Sequence, residues 1–150
     1  MKNFLFRVFL NMEVGKKASF ALMAMPDVMF PERIKVGDNS IIGYNTTILA
    51  HEYLIDEYRL GDVVIGDRVM IGANTTILPG ITIGNGAIVS AATLVHKDVP
   101  AGAFVGENPM NIIYTAEQMA ERQAKSWKHM MLSGFFSRLS LDGGWKNALK

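Results

Sequence analysis

Aliphatic residues recur at every sixth position through the middle of this chain. Ile or Val stands at Val36, Ile42 and Ile48, and then at Ile65, Ile71, Ile77, Ile83, Val89 and Val95. Side chains alternate along a strand, so short strands joined by a corner in every hexad would bury one aliphatic residue per repeat. The period predicts a coil of short parallel strands and argues against an open sheet.

Residues that permit tight turns mark the corners of this coil. Asn or Gly stands three places after the aliphatic position at Asn39, Asn45, Asn74, Gly80 and Gly86. These residue types tolerate positive φ, which lets the chain turn sharply. Two places before the next aliphatic residue stands a small or β-branched residue, as at Ser40, Thr46, Thr75 and Thr93. Alternation places both residues on the same side of the strand, which we expect to be the inside.

The repeat is interrupted between Ile48 and Ile65, where the step equals one hexad plus an insertion of eleven. We therefore predict that the chain leaves the coil once, as an excursion at about residues 51–62, and returns. With three hexads per coil, Thr46 then aligns with Thr75 and Thr93, and Asn45 aligns with Asn74. Identical side chains stacked about 4.8 Å apart could bond along the coil axis.

Flanking segments complete the predicted organisation. Residues 1–13 are interpreted as a short N-terminal helix packed on the domain, residues 14–113 as the coil, and residues 114–150 as a C-terminal helix and tail. The helix is expected to open at a capping box, Thr115-Ala-Glu-Gln, and to run to about Met131, with an apolar tail beyond Gly134. No stretch approaches the roughly 20 apolar residues that span a bilayer. We therefore expect a cytoplasmic protein without membrane contact.

Composition excludes several classes of function. The chain has no cysteine, which excludes disulfides, thiolate metal sites and a cysteine nucleophile. Its formal net charge is +1 with no basic block, so a nucleic-acid partner is not expected.

Three hexads carry a resemblance to a known family: Ile65-Gly-Asp-Arg-Val-Met, Ile71-Gly-Ala-Asn-Thr-Thr and Ile83-Gly-Asn-Gly-Ala-Ile. They resemble the hexapeptide-repeat acyltransferases, and in particular the maltose/galactoside and xenobiotic acetyltransferase group. The resemblance continues through Val95-His-Lys-Asp-Val-Pro and Gly106-Glu-Asn-Pro-Met. It implies an all-β fold, a left-handed parallel β-helix; the handedness comes from the family alone, because parallel crossovers are otherwise almost always right-handed.

The same resemblance implies an activity and its site. The expected reaction moves an acetyl group from acetyl-CoA to a hydroxyl or amine of a small-molecule or sugar acceptor, with no metal required. His51, beside the excursion, would be the general base, a role that suits imidazole near neutral pH. Cofactor contacts are expected at Ala73, Ala91, His96 and Lys97, with Lys97 near a phosphate of the donor. Glu52, Asp56 and Glu57 are open alternatives: they could orient the imidazole, grip the acceptor or simply face solvent.

Departures from the family pattern keep other functions open. Glu107 stands where glycine or an aliphatic residue is common, and Asn111 stands where a basic residue often follows. They favour the alternative of a non-catalytic β-helix scaffold or binding module. A zinc hydratase is a weaker alternative, because His51, His96 and His129 are too widely spaced to form a close ligand pair.

An apolar column predicts a partner surface. With the insertion removed, Ile41, Met70 and Ile88 align on the outside of the coil, where an isolated coil would be polar. This agrees with the homotrimer that the resemblance implies, with an active site shared between subunits. Coverage by the chain's own terminal helix is the alternative.

Overall fold

Three parallel sheets form the main body of the protein. The computed structural model describes residues 10–108 and 110–132, with side chains to residue 125. The first sheet contains β1 (Glu13–Val14), β4 (Ile34–Val36), β9 (Val63–Ile65) and β12 (Thr82–Ile83). The second contains β2 (Ser19–Phe20), β5 (Ile41–Ile42), β10 (Met70–Ile71), β13 (Ile88–Val89) and β15 (Phe104–Gly106), with β16 (Asn111–Tyr114) added antiparallel. The third contains β3 (Met25–Pro26), β6 (Thr47–Ile48), β11 (Thr76–Ile77) and β14 (Leu94–Val95).

The chain visits the first, second and third sheets in turn and then repeats, which makes a parallel β-helix. Ile71 pairs with Val89 and Ile77 pairs with Val95, so strands on adjacent coils are separated by three hexads of sequence. This register confirms three hexads per coil. Ile42 pairs with Ile71, a step that exceeds three hexads by the length of the predicted insertion. The insertion therefore lies outside the coil, as its length predicts.

The aliphatic residues of the hexads fill the interior, and Ile42, Ile77, Ile83, Val89 and Val95 are completely buried. Ser40, Thr46, Thr75 and Thr93 are buried beside them, as predicted. The predicted asparagine ladder is confirmed, because Asn45 Nδ2 donates to Asn74 Oδ1 at 2.9 Å. The threonines do not bond to one another: their hydroxyls donate to backbone carbonyls, as from Thr46 to Gly72 at 3.2 Å. A buried backbone carbonyl without a hydrogen-bond donor would destabilise the folded state, so the threonine hydroxyls stabilise the coil by donating to these carbonyls.

The predicted corner residues adopt the backbone conformation expected of them. Positive φ values between 53° and 79° occur at Asn39, Asn45, Asn74, Gly80 and Gly86. Glycine and asparagine adopt this left-handed backbone conformation at little cost in free energy, whereas for most other residues it costs about 1–2 kcal/mol. Positive φ also occurs at the equivalent corners Lys17, Met23, Arg68 and Ala92, so residue type encodes the asparagine and glycine corners locally, whereas the coil imposes the others.

The prediction of a single excursion is wrong, because there are two. Val14, Phe20 and Pro26 form an additional first coil, and they pair with Val36, Ile42 and Ile48 of the next coil. Each of these steps is longer than three hexads, and the extra segment contains a 3-10 turn at Pro31–Arg33. The aliphatic pattern did not extend to this coil because phenylalanine and proline occupy two of its inward positions.

The longer insertion, already predicted from the sequence, forms a two-stranded antiparallel hairpin of β7 (His51–Tyr53) and β8 (Tyr58–Leu60). It is closed by a hydrogen bond from the Leu54 N–H to the Glu57 carbonyl at 2.8 Å. The hairpin lies within the predicted excursion, residues 51–62.

Near the N-terminus, strand β1 begins at Glu13 and residues 10–12 are not helical; the rest of the helix predicted for residues 1–13 falls outside the described residues. Helix α1 (Ala116–Leu132) begins directly after Thr115, as the capping box predicts. The described residues from Glu117 to Leu132 belong to a unit separate from the coil, and the tail predicted beyond Gly134 lies outside the described residues. Within the described part of the chain, no helix is long and apolar enough to cross a membrane.

Candidate active site

Both insertions leave the coil at the same corner, between the third sheet and the first. The shorter insertion follows Pro26 at the end of β3, and the hairpin follows Ile48 at the end of β6. Pro26 and Ile48 are register partners on adjacent coils. Residues that follow these two strands are therefore brought together although they are distant in the chain.

Asp27 is the buried centre of this corner, with a side chain that is only 1% exposed. Its Oδ1 accepts the backbone N–H groups of Met29 at 2.9 Å and Phe30 at 3.1 Å. Its Oδ2 accepts the backbone N–H groups of Ala50 at 2.8 Å and His51 at 3.1 Å. The carboxylate thus joins the two insertions by hydrogen bonds on both of its oxygens.

These bonds keep Asp27 ionised. Burial by itself raises the pKa of Asp27, but the backbone N–H groups of Ala50 and Met29, the His51 ring and the Phe30 N–H lower it by more. The pKa of this carboxyl therefore lies below its ordinary value of 3.8. An ionised carboxylate only accepts hydrogen bonds, so any group that contacts it must donate.

His51 is held by this carboxylate through one ring nitrogen. Its Nδ1 lies 2.5 Å from Asp27 Oδ2, and its side chain is 17% exposed. Because Asp27 only accepts, we assign the ring proton to Nδ1. In the neutral ring Nε2 then carries the free lone pair. This arrangement suits Nε2 to take a proton from a bound molecule.

Aromatic side chains from both insertions surround the imidazole. Phe30 and Tyr53 each contact the His51 ring edge to face, with ring centroids 5.3 Å apart in both pairs. Tyr58 stacks on Tyr53 at 4.8 Å and lies 6.4 Å from Phe30. The pKa of the Tyr58 phenol is raised above 10.0, first by desolvation and then by the neighbouring Tyr53, with Arg33 opposing the shift. The phenol is therefore neutral at physiological pH.

The orienting carboxylate is not one of the three acidic residues that the sequence suggested. Glu52 lies 3.9 Å from the Arg59 guanidinium, and Glu57 also pairs with Arg59. No contact places Asp56 against the imidazole among the described interactions. Sequence reasoning missed Asp27 and Phe30; the spacing of Val14, Phe20 and Pro26 was the signal that could have placed them at the corner of His51.

The residues predicted to contact the donor lie at two different corners. Ala73 and Ala91 stack one coil apart at the corner between the second and third sheets, where the Ala92 N–H donates to the Ala73 carbonyl at 2.8 Å. His96 and Lys97 are exposed and follow β14, so they lie at the corner of His51 but two coils away. The third sheet therefore lies between the Ala73–Ala91 pair and the His96–Lys97 pair.

Glu107 and Asn111, the two departures from the family pattern, contact each other: Asn111 Nδ2 donates to Glu107 Oε2 at 3.2 Å.

Among the described residues, no three His, Asp or Glu side chains come together in a group that could hold a metal ion. His129 lies in α1, where its side chain is not described.

Comparison with known proteins gives consistent matches. Residues 62–97 match the family model described as bacterial transferase hexapeptide (six repeats). The chain is 75% identical over 126 residues to "Putative acetyltransferase YvoF" of Bacillus subtilis, covering 84% of this chain and 73% of that protein.

Solved structures of similar fold include two acetyltransferases. One, a hexapeptide-repeat acetyltransferase of Vibrio cholerae complexed with acetyl-CoA, has a TM-score of 0.59 and 25% identity, covering 77% of this chain and 76% of that one. The other, a maltose O-acetyltransferase of Clostridium difficile, has a TM-score of 0.53 and 25% identity, covering 69% of this chain and 68% of that one.

Proposed function

The chain belongs to the hexapeptide-repeat acetyltransferases, and from this premise we propose that it moves an acetyl group from acetyl-CoA to a hydroxyl or amine, with His51 as general base. Its coil is the left-handed parallel β-helix of that family. The observation that carries the proposal is the Asp27–His51 contact at 2.5 Å, at the corner where both insertions leave the coil.

The chemistry follows from the tautomer of His51. Its Nε2 removes the proton of the acceptor hydroxyl or amine as the oxygen or nitrogen attacks the thioester carbonyl carbon. The tetrahedral intermediate then expels the CoA sulfur, and the imidazolium returns the proton to that thiolate. The products are the acetylated acceptor and free CoA. Asp27 stabilises the transient imidazolium and holds the ring in place, so we assign it as a positioning residue.

The predicted cofactor contacts remain part of this proposal. Ala73 and Ala91 have short side chains, so an extended ligand could approach the backbone at their corner closely. The ammonium of Lys97 and the imidazole of His96 could contact the phosphate end of the donor at the other corner. A donor that contacts both pairs would cross the outside of the third sheet.

The apolar column on the second sheet supports a homotrimer. Register pairs Met70 with both Ile41 and Ile88 on the outer face, and Ile41 and Met70 are about half exposed. A monomer would leave this column in water. We propose that equivalent columns of neighbouring subunits cover one another.

Met70→Glu should disrupt this assembly, because an unpaired charge would be buried at the centre of the column. We expect the mass measured by light scattering to fall from three times the 16.5 kDa chain mass to one. Thr82→Glu, at an exposed outward position of the first sheet, is the matched control and should stay trimeric. A Met70→Glu protein of unchanged mass would contradict the proposed interface.

Calorimetric titration with acetyl-CoA tests the donor without knowledge of the acceptor. We expect about one molecule bound per subunit, followed by release of CoA thiol when an acceptor is supplied. The chain contains no cysteine, so thiol reagents would report CoA alone. Failure to bind millimolar acetyl-CoA would overturn the proposal and favour the scaffold alternative.

A further inference from the structure

The two aromatic rings that contact His51 belong to different segments of the chain. Tyr53 lies two residues from His51 on the same strand, β7, so their contact is internal to the hairpin. Phe30 belongs to the shorter insertion, and its edge-to-face contact with His51 at 5.3 Å joins that insertion to the hairpin. The Phe30 ring also lies 6.4 Å from the ring of Tyr58 on β8, so it meets both strands of the hairpin.

Phe30 is fixed relative to the coil on all sides of its own backbone. Its side chain is half-buried and packs against the hydrophobic core of the coil. Its N–H donates to Asp27 Oδ1 at 3.1 Å, and its carbonyl accepts the Arg33 N–H at 3.1 Å. The next residue, Pro31, is buried and has a restricted φ. Tyr53, in contrast, is 64% exposed and has the position that the hairpin gives it.

The hydrogen bond from His51 to Asp27 does not by itself orient the imidazole. It holds Nδ1 at 2.5 Å from Asp27 Oδ2, but a ring that is held at one atom can still rock about that atom. Nε2 lies on the far side of the ring, so rocking displaces it more than Nδ1. The Phe30 ring meets the imidazole at an interplanar angle of 66°, a favourable edge-to-face geometry that opposes such rocking.

We propose that Phe30 is a positioning residue that fixes the plane of the His51 ring and so the direction of the Nε2 lone pair. Asp27 fixes the tautomer, and Phe30 fixes the orientation. Both residues come from the shorter insertion, which therefore sets the geometry of a base that lies on the other insertion. A base must be held close to its productive geometry to be effective. This inference rests on the proposed function, because it concerns the residue that would remove the acceptor proton.

Histidine side-chain ¹H–¹⁵N NMR spectra of the full-length protein test this assignment without donor or acceptor. The signals of His51 are those missing from the His51→Ala spectrum. Wild type should show the Nδ1–H tautomer, with ring-proton shifts displaced by the neighbouring aromatic rings. In Phe30→Leu the tautomer should persist, because Asp27 is unchanged. Exchange of the Nδ1 proton with water should accelerate by roughly 10-fold or more, because the ring is free to rock.

Three further variants are the controls for Phe30→Leu. Phe30→Tyr keeps the aromatic ring, so its exchange rate should stay within about 3-fold of wild type. Tyr53→Leu should accelerate exchange less than Phe30→Leu, because Tyr53 is not anchored to the coil. Tyr44→Leu makes the same aromatic-to-leucine change at a half-exposed position between the second and third sheets, and it should leave the His51 signals unchanged.

Turnover gives a second measurement, by release of CoA thiol from acetyl-CoA. Misorientation of Nε2 should lower kcat in Phe30→Leu by roughly 10- to 100-fold, while the affinity for acetyl-CoA stays within about 3-fold. In the His51→Ala protein, Phe30→Leu should cause no further loss of kcat, because a positioning residue acts only through the base.

An unchanged Nδ1–H exchange rate in Phe30→Leu would overturn the inference, and so would a larger effect of Tyr53→Leu. Loss of the Nδ1–H tautomer together with a lower Tm would assign Phe30 a structural role instead. The spectra require no bound donor, so they decide the role of Phe30 separately from the proposed function. Failure to bind acetyl-CoA would overturn the transferase and leave the orientation of His51 by Phe30 standing.

Discussion

Replacing His51 by alanine should lower kcat for acetyl transfer by roughly 10²- to 10⁴-fold, the range that positioned general bases contribute. The variant lacks the Nε2 lone pair that would remove the acceptor proton, while Ala73, Ala91 and Lys97 are unchanged. We therefore expect the calorimetric affinity for acetyl-CoA to stay within about 3-fold of wild type. Thiol release at saturating donor and acceptor measures the effect on kcat.

Added imidazole provides a control for the His51→Ala protein. A free base that enters the space left by the side chain should restore part of the lost kcat, and a misfolded protein would show no such recovery. Turnover close to the wild-type value in the variant would remove the general-base assignment.

Asp27→Asn should lower kcat over the same range as His51→Ala. An amide keeps the shape of the carboxylate but replaces one acceptor oxygen by a donor, so it cannot accept all the N–H groups that meet Asp27. The imidazole would lose its fixed tautomer and the charge that stabilises its protonated form. We expect kcat to fall by roughly 10²- to 10⁴-fold. The affinity for acetyl-CoA should remain close to wild type.

Glu52→Gln is the matched control for Asp27→Asn. It makes the same carboxylate-to-amide change next to His51, on the face of the hairpin that contacts Arg59, and kcat should stay within about 3-fold. Equal losses in both variants would show that general charge near His51 matters, and would contradict a specific role for Asp27.

Asp27→Asn should also change stability in a pH-dependent way. The pKa of Asp27 in the folded chain lies below its ordinary value of 3.8, so the ionised carboxylate stabilises the folded state above that pH. The stabilisation is lost as the pH falls through the lower, folded value. The difference between wild type and variant in free energy of unfolding should therefore be largest near neutral pH and shrink below about pH 4, as denaturant titrations would measure.

Local features of the sequence were sufficient for most of the fold. The buried aliphatic residues and the positive φ at Asn45 and Gly80 match the hexad pattern, and the interruption of that pattern predicts the excursion but not its hairpin. Each of these depends on a residue and its near neighbours: a β-branched residue favours a strand, and asparagine or glycine permits the turn. Where the coil is built from three uninterrupted hexads, repetition makes the long-range register follow from the local spacing, as in the pairing of Ile71 with Val89 and Ile77 with Val95.

The candidate site could be predicted only in part. The resemblance of the chain to a known family identified His51, beside the excursion, as a candidate base. It did not identify the partner of His51, Asp27. Glu52 and Glu57 are closer to His51 in sequence and were open alternatives. Both contact Arg59 instead, and alternation along β7 directs Glu52 to the opposite face from His51.

The sequence alone therefore determined the coil, its asparagine and glycine corners, the place of the longer excursion and the candidate base. Only the tertiary structure decided which carboxylate orients that base and which side chains form the wall beside it. Asp27 reaches His51 because Pro26 and Ile48 pair one coil apart, across an insertion that the aliphatic period did not reveal. Phe30 meets the rings of His51 and Tyr58 for the same reason: the two insertions leave the coil at one corner, and pairing between coils brings them together. Tyr53 and Tyr58, by contrast, meet through strand pairing within the hairpin.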